Sequence, residues 1–204
     1  MPGFTEHWGG RARFVIFDSC FGGGEGFRAA LEAWRADPHR PARLHYIALA
    51  DGALPGFMRM PQDDAHVTLD LLCAPIDTAL AQLDARLDAV RLHGAAHLGT
   101  NFVRGLARLS VPGTLLWADA VAPALRDALA GAGFGFDSSG SRAIFATRKP
   151  VAPRAEPAER RALVIGAGVA GSAACERLCA RGWQVTSSSW CCGTFTICRN
   201  CGRR

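Results

Sequence analysis

The sequence predicts an α/β protein: a parallel sheet covered by helices on both faces, closed by an antiparallel hairpin and followed by a truncated βαβ dinucleotide-binding remnant. Three observations predict it. Short apolar runs alternate with stretches of helical spacing from Arg13 to Ala132, and that alternation builds parallel sheets sandwiched by helices. Glycine clusters follow two of the runs, at Gly22 to Gly26 and at Gly166 to Gly171. With 204 residues, 49% of them apolar, the chain has material for one ordinary domain and a remnant, not for two full α/β domains.

The elements follow in order. Arg13 to Phe17 (RFVIF) is an apolar run that breaks at the glycine turn. Glu25 to Ala36 then puts Phe27, Ala30, Leu31 and Trp34 on one helical face, its Glu and Arg residues forming a solvated face. Leu44 to Ala50 and Val67 to Cys73 read as strands separated by the irregular stretch DGALPGFMRMPQDD. Ile76, Leu80 and Leu83 mark a helix, Leu87 to Leu92 a strand, and Phe102, Leu106 and Leu109 a helix that ends before Val111-Pro112-Gly113. Thr114 to Ala118 is a strand, and Ala122 to Ala132 a helix closed by glycine. Phe134 to Phe136 and Arg142 to Arg148, joined by Ser139-Gly140-Ser141, read as the hairpin. The domain reading is therefore residues 1–148, a linker over 149–161 rich in proline and charge, a βαβ fragment over 162–186, and an unstructured tail rich in Cys and Arg over 187–204.

Net charge is +5 and the isoelectric point about 9.0, which suits a phosphate-bearing partner. Part of that excess sits in the tail, where Arg199, Arg203 and Arg204 face no acid; the remainder holds 20 basic against 18 acidic side chains. RNA binding is allowed by this balance but not established by it. No run has the length of a membrane span, and MPGFTEHWGGRAR lacks the apolar core of a signal peptide. Cys20, Cys73, Cys175 and Cys179 lie scattered in apolar surroundings, as in a reducing compartment. The expectation is a cytoplasmic protein without a membrane partner.

In FVIFDSCFGGGEGF, Asp18 and then Gly22 and Gly24 stand at the carboxyl end of the first strand, the edge where open α/β sheets bind ligands. Together with the parallel sheet and terminal hairpin this is the layout of Rossmann-like S-adenosylmethionine-dependent methyltransferases. The order RARFVIFDSCFGGGEGF, LHYIALA, VTLDLL, LDAVRLHG, ALRDALAGAGFGF, a basic linker and LVIGAGVAGSAACERLCARGWQVT resembles the bifunctional tRNA 5-methylaminomethyl-2-thiouridine biosynthesis proteins, over roughly residues 8 to 186. In that family a methyltransferase domain is fused to an FAD-dependent oxidoreductase, and the pair completes a modified wobble uridine. The resemblance implies tRNA as partner, S-adenosylmethionine as cofactor, and methylation of the aminomethyl group of 5-aminomethyl-2-thiouridine.

Carried over position by position, the resemblance gives Asp18, Gly22, Gly24 and Asp51 to S-adenosylmethionine, and several matching positions have changed. Cys20 stands for a glycine of the loop. Ala50 stands for the acid that binds the ribose hydroxyls, with Asp51 one step on; a one-residue shift turns a strand side chain to the other face, so Asp51 replaces that acid only if the strand has ended. Ala74-Pro75 stands for Gly-Asp near the adenine. His93-Gly94-Ala95 stands for Asp-Gly-Phe beside the substrate amine, and the segment around Leu98 to Asn101 is shorter than in the family. His93 is the candidate catalytic residue, since imidazole accepts a proton although it carries no fixed negative charge. His45 and His66 lack partners at metal-ligand spacing, Trp34, Trp117 and Trp183 read as packing residues, and Cys175 with Cys179 as small packing residues of a helix.

Gly166, Gly168 and Gly171 form a dinucleotide fingerprint between strand and helix: a tight turn, an approach for pyrophosphate, and close helix packing. By the family's spacing the acid for the FAD ribose falls on Ser189, and no acid follows Glu176. FAD is therefore read as vestigial and flavin oxidation as absent. Cys198-x-x-Cys201 with Cys191 and Cys192 gives a poor zinc pattern, and no metal is assigned. The abrupt change of composition at Ser187 suggests an out-of-frame reading of the coding DNA. Two alternatives to an active methyltransferase stay open: a catalytically impaired remnant of the bifunctional protein, and a small RNA- or zinc-binding module using the tail.

Overall fold

A computed structural model describes residues 5–52, 55–62, 66–93, 98–119, 121–146, 161–166, 168–180, 183–191 and 194–199. The chain divides into two compact units, Met1–Val151 and Ala152–Arg204. Of the expected linker, residues 149–160 lie outside the described residues, and Arg161 already opens a strand.

The first unit runs α1 (Thr5–Trp8), β1 (Phe14–Asp18), α2 (Glu25–Ala36), β2 (Leu44–Leu49), β3 (Gly56–Gln62), β4 (Val67–Cys73), α3 (Ile76–Gln82), β5 (Leu87–Leu92), α4 (Thr100–Leu109), β6 (Ser110–Ala118), α5 (Pro123–Ala132), β7 (Phe134–Phe136) and β8 (Arg142–Phe145). Its eight strands lie in the order β3, β4, β2, β1, β5, β6, β8, β7. The five from β4 to β6 are parallel. At the far edge the expected hairpin forms, β8 pairing antiparallel with both β6 and β7. This is a Rossmann-like α/β sheet with a terminal antiparallel hairpin.

Every residue of β1 is buried, as a central parallel strand requires. Val15 and Phe17 enter a core with Leu80, Phe102, Leu106 and Leu129 from α3, α4 and α5. Phe14 and Ile16 enter a second core with Phe27, Leu31 and Trp34 of α2 and with Trp8. Trp34 donates from Nε1 to the carbonyl of Pro41 at 2.8 Å, so it serves packing as expected.

Two segments depart from expectation. The stretch read as irregular contains β3, which pairs antiparallel with β4 from Gly56↔Cys73 to Gln62↔Val67. Its residues are exposed apart from a half-buried Met60, so no alternation of apolar residues announces it, and Pro61 is tolerated because this is an edge strand. The turn expected at Val111 to Gly113 is likewise part of β6, with a register irregularity opposite Leu87 and Ala89; the Thr114 hydroxyl closes it by donating to the carbonyl of Leu87 at 2.5 Å.

The second unit contains β9 (Arg161–Ile165), α6 (Val169–Ala180), β10 (Gln184–Cys191) and β11 (Thr194–Arg199). β10 pairs parallel with β9 and antiparallel with β11. The tail is therefore not unstructured as expected: the backbone from Thr186 to Cys191 pairs with that from Thr194 to Arg199. Thr, Phe and Ile in TFTICR favour extended backbone, and the short span between the strands suits a hairpin. Cys175 and Val185 are buried, whereas Leu163 and Ile165 are 64% and 81% exposed, because a single helix covers only one face of a βαβ unit.

Candidate active site

From β1 the sheet grows in one direction through β2 and β4, and in the other through β5 and β6. Loops leaving β1 and β5 therefore part company, and the crevice between them is the ligand position of an open α/β sheet. Asp18 ends β1 and His93 directly follows β5, so the topology brings both candidates to this crevice.

Asp18 is 1% exposed, and each of its oxygens is engaged. Oδ2 accepts from the hydroxyl of Tyr46 at 2.5 Å, and Oδ1 accepts from the backbone N–H of Cys20 at 3.0 Å. The second contact fixes the start of the glycine loop. Burial first, and then the charge and hydrogen bond of Asp18, push the Tyr46 phenol well above its ordinary range, with Arg91 opposing them. Tyr46 is thus a neutral donor. A Cβ on Gly26 would stand 2.6 Å from the Tyr46 hydroxyl, 2.8 Å from Arg91 and 2.8 Å from Asp18, so only glycine lets α2 approach this cluster.

The loop itself is drawn onto β2 by the N–H of Phe21, which donates to the carbonyl of Leu49 at 2.6 Å. Gly22 and Gly24 adopt φ of 54° and 81°, left-handed conformations that favour glycine. A Cβ added at Gly22 would make ordinary contact with Glu25 Oε2 at 3.7 Å, whereas one at Gly24 would press on the Phe21 ring at 3.0 Å. β2 ends at Leu49, so Asp51 lies beyond the strand and is exposed; the pleat no longer dictates its direction. A left-handed glycine turn with an exposed carboxylate two residues past its anchor fits the ribose and backbone contacts of an adenosyl cofactor. Cys20 is exposed, and the turn forms with cysteine in that place.

His93 lies between two carboxylates. Its Nε2 is 3.2 Å from Asp18 Oδ1 and its Nδ1 3.0 Å from Asp119 Oδ2, while its backbone N–H donates to Ser19 Oγ at 2.8 Å. Carboxylate oxygens only accept, so both contacts are hydrogen bonds only when the ring carries N–H at both nitrogens, and that form has no lone pair to offer. Gly94 and Ala95 lie outside the described residues. Tyr46, Arg91 and Asp119 were not singled out in the sequence. Tyr46 is the only tyrosine of the chain, and Asp119 is an acid just past the end of a central strand; those were the available signals.

His45 has a partner after all, though not at metal-ligand spacing. Its Nε2 is 2.6 Å from Asp70 Oδ2, and Arg59 grips both oxygens of the same carboxylate, at 2.7 and 2.5 Å. Burial raises the Asp70 carboxyl, but Arg59 and His45 outweigh it and hold the group at about 2. This cluster ties β3, β4 and β2 together.

In the second unit Gly166 has φ of 103°, and a Cβ on Gly171 would overlap the carbonyl oxygen of Gly166. An added Cβ on Gly168 would meet nothing within 4 Å. Gly166 and Gly168 thus have the conformation and the space that the fingerprint asks of them, but the position where the family's spacing puts the ribose acid is Ser189, its backbone paired with that of Thr196. Only half of an FAD site fits. Backbone pairing sets Cys198 opposite Ser187, four residues along β10 from Cys191, roughly 13 Å of strand, so these two do not share one tetrahedral site. Cys192 and Cys201 lie outside the described residues.

No protein-family model matches the chain. It is 37% identical to the tRNA 5-methylaminomethyl-2-thiouridine biosynthesis bifunctional protein MnmC of Azoarcus sp. (strain BH72), over 90% of this chain and 36% of that protein. It is 36% identical to the protein of the same name from Cupriavidus metallidurans, over 90% of this chain and 35% of the other. The chain thus spans about a third of the length of the curated relatives it matches. Among solved structures, MNMC2 from Aquifex aeolicus aligns with a TM-score of 0.51 at 16% identity, covering 70% of this chain and 56% of that one; this likeness speaks to the fold.

Proposed function

We propose that this chain, a homologue over 90% of its length of the tRNA 5-methylaminomethyl-2-thiouridine biosynthesis bifunctional proteins, is an S-adenosylmethionine-dependent methyltransferase acting on the aminomethyl group of a tRNA wobble uridine. The observation that carries the reading is the loop at the crevice: a left-handed glycine turn at Gly22 and Gly24, anchored to buried Asp18 and to the end of β2 beside exposed Asp51.

In this reading the backbone around Gly22 and Gly24 lies along the cofactor, and the Asp51 carboxylate accepts from its ribose hydroxyls. The cofactor supplies an electrophilic methyl group when bound. Asp18 touches no ligand: its lone pairs serve Tyr46, Cys20 and His93, so it sets the shape of the loop. Arg104, exposed and one turn from Arg108 on α4, lines a cleft against α3 with Gln82, Asn101 and Asp77, and provides a cation for the phosphate backbone of tRNA. FAD chemistry is not assigned to this chain.

Calorimetric titration with S-adenosylmethionine tests the reading. Saturable binding is expected, weakened about tenfold or more by Asp51→Ala, which removes charge-assisted hydrogen bonds of about 1.5–3 kcal/mol. An absence of binding at millimolar ligand would overturn it in favour of an impaired remnant.

A further inference from the structure

We propose that Asp119 is the carboxylate that receives the amine of the substrate, with His93 as the residue that positions it; this rests on the methyltransferase reading above. The loop that follows β5 offers no acid, since His93, Gly94 and Ala95 occupy its start. The negative charge at this end of the crevice comes instead from the next strand. Asp119 follows β6, which lies beside β5, and its side chain is 71% exposed while that of His93 is 26% exposed and that of Asp18 only 2%. Along the line Asp18, His93, Asp119 exposure rises, so of these three side chains it is Asp119 that presents oxygen atoms to an incoming group.

The charges of the line decide what that group is. The inner carboxylate, Asp18, is surrounded by the Tyr46 hydroxyl, the Cys20 N–H and His93, whereas the outer one, Asp119, meets His93 through Oδ2 and faces outward. Arg91 stands at the inner end, beside Tyr46. An outward carboxylate keeps lone pairs free for N–H donors, and an alkylammonium supplies three. A carboxylate or phosphate would be repelled at this spot. His93 cannot fill the role itself, because both its ring nitrogens face carboxylates; it holds the Asp119 oxygen in one direction and ties it to the buried end of the line.

The test is binding, read by fluorescence anisotropy with two RNA stem-loops, one carrying 5-aminomethyluridine and the other uridine at the same position. The wild-type chain is expected to prefer the amine-bearing RNA by about tenfold or more, as a charge-assisted hydrogen bond allows. Asp119→Asn is expected to bind both RNAs equally, Asp119→Glu to restore the preference, and His93→Gln to reduce it. Asp119 is exposed, so its variants fold; circular dichroism checks this. A preference kept intact by Asp119→Asn, or a wild-type chain with none, overturns the assignment. Calorimetry with S-adenosylmethionine on the same samples separates the two ideas: amine preference without cofactor binding sinks the transferase and leaves the amine site, and cofactor binding without amine preference does the reverse.

Discussion

The hydroxyl of Tyr46 on β2 donates to Oδ2 of Asp18 on β1 across 2.5 Å in the buried centre of the sheet. The same carboxylate, through its other oxygen, holds the N–H of Cys20 where the glycine loop begins. A core interaction and a loop conformation therefore depend on one side chain. Whatever disturbs the first is transmitted to the second, because Asp18 is buried away from solvent.

Replacing Tyr46 by Phe removes the donor and leaves the ring. Asp18 then keeps a buried charge with one oxygen short of a partner, which costs about 1–3 kcal/mol. Urea denaturation is expected to show that loss, and calorimetry a weaker affinity for S-adenosylmethionine from the loosened turn. A variant as stable as the wild type would show that the Tyr46 contact does not hold the loop.

Gly26 and Gly131 make a matched pair. An alanine methyl at Gly26 would enter the space of the Tyr46 hydroxyl, Arg91 and Asp18, none of them free to retreat, and overpacking of this kind costs roughly 1–3 kcal/mol. At Gly131, in the last turn of α5, a Cβ meets nothing within 4 Å, so Ala gains about 0.5–1 kcal/mol from helix propensity. The two denaturation midpoints should move in opposite directions. Equal shifts would mean that the Gly26 environment adjusts.

Much of this fold was legible because parallel strands are buried on both faces and read as apolar runs. RFVIF, LHYIALA and LDAVRL needed no tertiary information. β3 was not legible, since its exposed residues carry no alternation and its strand character comes from pairing with β4. The site divides along the same line. Asp18, Gly22 and Gly24 are contiguous in sequence and could be read from it, whereas Tyr46, His93 and Asp119 come together only when β2, β5 and β6 are placed around β1. The extended backbone of the Ser- and Cys-rich tail was missed because its composition masks the β-branched and aromatic residues within it.

Asp70 links stability to pH. Its carboxyl falls from an ordinary 3.8 to about 2 in the fold, a shift on the order of 2 kcal/mol. A carboxyl depressed on folding stabilises the protein fully above its unfolded value, and this stabilisation is lost as pH falls toward the folded one. Asp70→Asn should therefore be less stable than the wild type at neutral pH, with the difference shrinking from about pH 4 downward and nearly gone at pH 2. A difference that stays constant across this window would show that Arg59 and His45 contribute through packing and not through charge.

Arg104 bears on the RNA partner. It stands one turn from Arg108 on α4, and Arg108 is already committed, donating from Nη2 to the carbonyls of Leu80 and Leu83 at 2.7 and 2.9 Å. Arg104 is exposed in the same cleft, so it is the residue of the pair able to meet a phosphate without breaking an internal bond. Asp77 in the cleft offsets part of its charge, which limits the contact to about one phosphate. Arg104→Ala should then weaken tRNA binding to a similar degree for any sequence, and reduce the slope of log affinity against log salt concentration by about 1. Arg108→Ala should instead lower the thermal midpoint, since it strips donors from two carbonyls at the end of α3. An unchanged salt slope for Arg104→Ala would place the RNA on another face of the first unit.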